Sequence, residues 1–159
     1  MRTAILSGSF DPFTVGHLNL VRRAQNLFDR VVILVCSNIG KTAFLPDDIR
    51  VESVKACFPD GSAEVVLLDG LLAEYIQRYE HPVIVRGARN GGDFDYESQV
   101  AAMNRDIGNV DTVILPSEGE LSHISSTYAR DLIRYGRPVD KIVPDETAAV
   151  IAGWLNKQP

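Results

Sequence analysis

The sequence predicts an α/β fold, an open and mostly parallel five-stranded sheet with helices on both faces. Three observations predict it. Short apolar runs rich in Val and Ile alternate with longer segments of helical period. That alternation repeats at the spacing of strand–helix–strand units, whose crossovers build parallel sheets. And 159 residues without internal repeats, low-complexity tracts or linkers predict a single domain spanning 1–159.

Taken in order, Ala4–Leu6, Val31–Cys36, Val65–Leu68, Val83–Val85 and Thr112–Leu115 read as buried strands. Between them, Leu18–Phe28 places Leu18, Val21, Ala24, Leu27 and Phe28 on one helical face. Asp47–Cys57 starts after Pro46 and stops before Pro59, the usual placement of proline around a helix. Leu71–Tyr79 and Phe94–Arg105 also carry helical spacing. Ser125–Tyr135 opens on a capping serine and ends at Gly136, and a last helix, 146–155, follows Pro144.

Composition narrows the function classes. Hydrophobic residues are 45% and charged residues 23%, which excludes a disordered chain. A net charge of −5 argues against a broad nucleic-acid surface, although a small anion needs only a few local cations. No window approaches the roughly 18 apolar residues of a membrane helix, and the N-terminus lacks a signal-peptide pattern, so a cytoplasmic protein without membrane contact is expected. Cys36 and Cys57 lie in apolar runs without C-x-x-C spacing and read as buried thiols in a reducing compartment.

In open parallel sheets the ligand lies beyond the carboxyl ends of the strands, near the switch in strand order. The loop after the first strand, 8–17, runs Gly-Ser-Phe-Asp-Pro-Phe-Thr-Val-Gly-His. Gly8 allows close backbone approach to a ligand and Gly16 a tight entry into the helix. His17 falls in the first helical turn, beside free N–H groups and the positive end of the dipole, where an anion is favoured. The plain alternative is a turn with Thr14 as helix cap and His17 exposed. After the second strand, Ser37-Asn38-Ile39-Gly40-Lys41 offers a lysine able to swing to phosphate, or simply a solvated one.

After the fourth strand, Arg86 and Arg89 are three residues apart around Gly87, and both can face the strand-end cleft with forks of donors suited to phosphate. Arg86 comes directly off an apolar strand, where an idle charge is costly. In the following Asp93-Phe94-Asp95-Tyr96-Glu97, the aspartates suit a helix start, and Glu97 suits ribose binding or the orientation of an arginine. Finally Leu121, Ser122, His123, Ile124, Ser125, Ser126 and Thr127 lead into a helix. Three consecutive hydroxyls at a helix N-terminus exceed what capping needs and suit a phosphate cradle. His123 has no partner spacing that would make a hydrolase triad.

Thr14-Val15-Gly16-His17 resembles the (H/T)-x-G-H loop of the nucleotidylyltransferase superfamily. With Gly8-Ser9-Phe10-Asp11-Pro12, with Arg86-Gly87-Ala88-Arg89 leading to Asp93–Glu97, and with Ile124–Thr127, the chain resembles the phosphopantetheine adenylyltransferase family nearly end to end. The resemblance implies a Rossmann-like nucleotide-binding fold, magnesium (Mg2+) dependence with ATP, and a homohexamer. It implies transfer of AMP from ATP to 4′-phosphopantetheine, giving dephospho-coenzyme A and pyrophosphate by direct in-line attack. By position, His17 and Lys41 would be catalytic. Ser9, Phe10, His17, Gly87, Ala88, Arg89, Glu97 and the stretch Leu121, Ser122, His123, Ile124, Ser125, Ser126, Thr127 would bind ATP. Ser9, Lys41, Leu72 and Arg86 would line the acceptor side, and no residue is expected to hold metal.

Ser9 stands where threonine is commoner in the family, and Thr127 where serine often stands. Ile49 replaces a common acidic residue, which bears on the helix start at Pro46–Arg50 and on an oligomer contact. Two rivals remain: a sister enzyme acting on nicotinamide mononucleotide or a phosphorylated polyol, and a non-catalytic adenine-nucleotide sensor. The acidic balance disfavours a third, a nucleic-acid module.

Overall fold

A computed structural model describes residues 1–37 and 42–158. The five expected strands are β1 (Thr3–Gly8), β2 (Arg30–Cys36), β3 (Glu64–Leu68), β4 (Pro82–Ala88) and β5 (Thr112–Pro116), in the order β3-β2-β1-β4-β5. Every pairing is parallel, so the sheet is parallel throughout rather than mostly so. The order reverses between β1 and β4.

Alternation along the strands feeds two cores. Ala4, Leu6, Val31, Ile33 and Val35 face α1 (Val15–Leu27) and α2 (Asp47–Lys55), burying Val21, Ala24 and Val54. Ile5, Val32, Leu34 and Ile84 face the other way and pack with Leu68, Ile76 and Val110. A third, smaller cluster of Ile124, Ala129, Ile142 and Val143 seats α5 (Ser126–Arg134) against Val15 at the start of α1. The chain closes with α6 (Asp145–Leu155), begun by Pro144.

Several helix bounds shift for local reasons. Thr14 caps α1, which therefore starts at Val15, ahead of the expected Leu18. The predicted helix over 71–79 divides into α3 (Leu72–Tyr75) and a 3-10 turn (Ile76–Arg78), the tighter winding common at helix ends. Helix α4 (Gly91–Gly108) is longer than predicted. Asn90 Oδ1 accepts the Asp93 amide at 2.9 Å to begin it, and Asn109, left-handed at φ 48°, ends it. The unusual Ile49 leaves the start of α2 where proline placement predicts it.

The ladder between β1 and β4 stops at Ile5–Ile84, although β1 goes on pairing with β2 to Gly8 and β4 with β5 to Ala88. The two central strands therefore part beyond Ile5 and Ile84. The crevice so formed, at the reversal of strand order, is where an open parallel sheet binds ligands.

Candidate active site

Above the parted strands is a cleft of about 560 Å³ lined by the loops after β1, β4 and β5. It brings together Ser9, Phe10, His17, Arg86, Gly87, Arg89, Glu97, Leu121 and the Ile124–Thr127 stretch. Four predicted positions are not among its lining. Leu72 packs half-buried on the core under α3, and the buried Ala88 offers its carbonyl to the Ser117 amide at 2.8 Å. Ser122 and His123 are exposed outside it. Lys41 lies outside the described residues.

His17 is held with unusual completeness. It is the third residue of α1, and the Thr14 hydroxyl accepts its amide at 3.3 Å. In return the Thr14 amide donates to His17 Nδ1 at 3.0 Å, so imidazole takes the part usually played by glutamate in a capping box. Nδ1 must be an acceptor there, which leaves the proton on Nε2. Nε2–H has no protein partner among the described residues. Phe13 stacks on the ring at 5.5 Å between centroids and Phe10 meets it edge-on at 5.1 Å. Gly8 makes room for this arrangement, since a Cβ there would stand 3.1 Å from the Phe10 ring.

Burial foremost, then the charges of Arg86 and Arg89, lower the His17 pKa to about 4. The imidazole is thus a neutral donor at physiological pH, in contrast to an exposed first-turn histidine. Because its folded value lies below the unfolded 6.5, protons bind the unfolded chain more readily. The stability tied to this group is whole above pH 6.5 and is withdrawn as pH falls toward 4. Denaturant melts across that window should therefore slope less for His17→Gln than for the wild type, with a difference on the order of 3 kcal/mol at most. Histidine NMR titration should find no His17 midpoint between pH 5 and 8.

Arg86 turns its fork onto Glu97, with Nε to Oε2 at 2.7 Å and Nη2 to Oε1 at 2.8 Å. Its Nη1 donates to the Ser7 carbonyl across the gap where the β1–β4 ladder has ended. Burial works against the Arg86 charge, but the hydrogen bonds and charge of Glu97 outweigh it and raise the Arg86 pKa. Both Glu97 oxygens are engaged by Arg86, so the carboxylate orients an arginine, one of its two expected uses. Arg89 pairs with Asp93 at 3.0 Å and reaches the Ile124 carbonyl at 3.4 Å. Its hydrogen bond also lowers the Asp93 pKa.

The three hydroxyls of the expected cradle all have protein partners. Ser125 Oγ caps the Tyr128 amide at 3.1 Å, and Ser126 Oγ donates to the Pro12 carbonyl at 2.9 Å. Thr127 Oγ1 accepts from Arg130 at 3.0 Å. Ser125 and Thr127 thus serve as acceptors and keep their hydroxyl protons for an anion, which at this end of α5 also meets first-turn amides that lack intrahelical partners.

Sequence reasoning missed Arg130 and Arg23. Both line the cleft, and neither has a carboxylate partner among the described residues. Arg130 donates to the Asp11 carbonyl at 2.7 Å and Arg23 to the Pro116 carbonyl at 2.6 Å. The available signal for Arg130 was its place three residues after Thr127, one turn along the same helix face. Among the described residues no three His, Cys, Asp or Glu side chains converge as metal ligands. Of the carboxylates lining the cleft, Asp93 and Glu97 pair with its arginines and Glu118 stands exposed, so the lining supplies no carboxylate cluster for a protein-held ion. Both cysteines are free and half-buried, and burial raises both thiol pKa values.

Residues 5–132 match a family model described as cytidylyltransferase-like. A phosphopantetheine adenylyltransferase of Kocuria rhizophila is 44% identical over 148 residues, spanning 92% of this chain and 95% of that protein. One from Cutibacterium acnes is 42% identical over 89% of this chain and 90% of its own length. One from Phocaeicola vulgatus is 39% identical over 91% and 97%. Among solved structures, a bifunctional NMN adenylyltransferase/ADP ribose pyrophosphatase from Francisella tularensis, complexed with AMP and a manganese ion, superposes with a TM-score of 0.74 at 12% identity. The match covers 99% of this chain and 50% of that one. A putative nicotinate-nucleotide adenylyltransferase from Vibrio parahaemolyticus gives a TM-score of 0.62 at 19% identity, over 95% and 99%. At such identities the structures speak for a shared Rossmann-like fold.

Proposed function

The chain belongs to the phosphopantetheine adenylyltransferase family, and we propose that its cleft transfers AMP from ATP to 4′-phosphopantetheine by direct in-line attack. An oxygen of the acceptor's phosphate attacks the α-phosphorus, the bond to the β-phosphate bridging oxygen breaks, and pyrophosphate leaves with its electron pair. The product is dephospho-coenzyme A. No enzyme nucleophile takes part. Two anions must be brought together, so positioning and charge neutralisation supply the catalysis.

His17 is the central donor in this reading. Its Nε2–H, oriented by the Thr14 bond to Nδ1, meets the α-phosphate oxygen as charge gathers there. Arg86, held by Glu97, receives the acceptor phosphate beside Ser9. Arg89, Arg130 and the first-turn amides of α5 hold the β- and γ-phosphates, and Phe10, Gly87, Leu121 and Ile124 shape the nucleotide side. Lys41 joins His17 at the α-phosphate by family resemblance. Magnesium arrives with ATP as counter-ion to the triphosphate. The enzyme works in the cytoplasm as a homohexamer, a state that sedimentation measures; no described helix is long and apolar enough to cross a membrane.

The observation that carries the reading is the convergence of a neutral, oriented imidazole with Arg86, Arg89 and Arg130 in one cleft at the sheet's reversal point. Mass spectrometry after mixing the protein with magnesium, ATP and 4′-phosphopantetheine tests it, with dephospho-coenzyme A as the expected product. Turnover only with nicotinamide mononucleotide or a phosphorylated polyol would make it a sister enzyme. Nucleotide binding without turnover would make it a sensor. Arg130→Met is expected to raise the KM for ATP by about tenfold or more, with a smaller change in kcat. That is the pattern of a lost contact made equally in ground and transition states.

A further inference from the structure

Arg50 is buried to 1% exposure in the middle of the domain, the largest side chain so enclosed, and it is not among the residues lining the cleft. From α2 its Nη1 donates to the Ser9 carbonyl and, at 2.8 Å, to the Cys36 carbonyl, while Nη2 meets Asp47. Its Nε finds no partner among the described residues. A guanidinium is always charged, and burying one carries a desolvation cost that an apolar side chain of similar size avoids. A position selected for stability alone would not keep this cation with one donor unsatisfied. What the cation holds are the first residue after β1 and the last residue of β2.

We infer that Arg50 is a positioning residue for the transfer reaction, acting through Ser9 and Phe10 to hold the His17 imidazole in place. Phe10 follows Ser9 and is left-handed at φ 46°, a conformation that L-residues rarely adopt. It persists because the chain is pinned on both sides. Ser9 is gripped by Arg50, and the Asp11 carboxylate accepts the amides of Phe44 at 2.8 Å and Leu45 at 2.9 Å. That backbone turn sends the Phe10 ring under Gly8 and edge-on to His17. Without the grip on Ser9, Phe10 relaxes toward ordinary extended backbone and the imidazole loses one wall.

This inference rests on the adenylyl-transfer reading, and the test separates the two. Arg50→Met and Arg50→Lys are compared with wild type by melting, by kcat with ATP and 4′-phosphopantetheine, and by the NMR resonances of the His17 ring. The methionine variant should fold, lose about 10- to 100-fold in kcat, and show His17 resonances moved toward those of unstructured histidine. Lysine, a cation able to reach one carbonyl, should recover part of both. Folded variants with kcat within about twofold of wild type would overturn the role, as would a fall in kcat with the His17 resonances unmoved. If methionine does not fold, lysine carries the test. Failure of both to fold would assign Arg50 to the fold alone. A wild-type protein that makes no dephospho-coenzyme A would count against the reaction, while its His17 resonances still report on Arg50.

Discussion

His17→Ala is expected to lower turnover by about 100- to 1,000-fold, the usual effect of removing one preorganised donor at an oxyanion. The loss should fall on kcat and kcat/KM alike, because in the proposed reaction the Nε2–H bond strengthens only as the α-phosphate oxygens gather charge. Stability should change little. Alanine forfeits half of the capping box, worth about 1 kcal/mol, while the Thr14 hydroxyl still caps the amide of residue 17. Steady-state kinetics beside a thermal melt measure both. Near-normal turnover in a folded variant would remove imidazole from the mechanism. The neutral state of the ring also bears on the pH profile. With a pKa of about 4, His17 should give kcat/KM no inflection between pH 5 and 8.

The second large effect should come from Arg86. Arg86→Met leaves the Glu97 carboxylate, 8% exposed, without its countercharge. Breaking a buried pair from one side costs about 3–5 kcal/mol, and losing the cation proposed to face the acceptor phosphate should cost about 100-fold or more in kcat/KM. Two roles are entangled in that variant, and a second replacement separates them. Arg86→Met combined with Glu97→Gln removes both charges, so denaturant melts should recover most of the lost stability while activity stays low. Were activity to return with stability, Arg86 would be a structural strut and nothing more.

Much of this was legible in the sequence because it depends on local periodicity. The five strands are short continuous apolar runs rich in Val and Ile, and the caps at Thr14 and Ser125 announce themselves by residue type and spacing. The loops after β1, β4 and β5 converge because a parallel sheet puts all its carboxyl ends on one edge. Pairings were less legible, since proximity across the fold decides them. Glu97 is eleven residues from Arg86, and no periodicity says whether it meets ribose or guanidinium. Arg130 had no motif to flag it, yet the cleft places it beside Thr127 without a carboxylate partner among the described residues. Asp11 and Arg50 were passed over because their partners, Phe44 and Leu45 for one and Ser9 and Cys36 for the other, are brought near only by the packed sheet and α2. Leu72 went to the core for the same reason.

Where backbone rungs give out between β1 and β4, one guanidinium bridges the gap to the Ser7 carbonyl. The width of the crevice is therefore set by a side-chain wedge and not by strand register. A register is shared by every rung and changes only all at once, whereas a wedge can be swapped singly. Attempts to retune acceptor size should begin with residues around that wedge and leave the outlying strand β3, which lines no part of the cleft, as inert scaffolding.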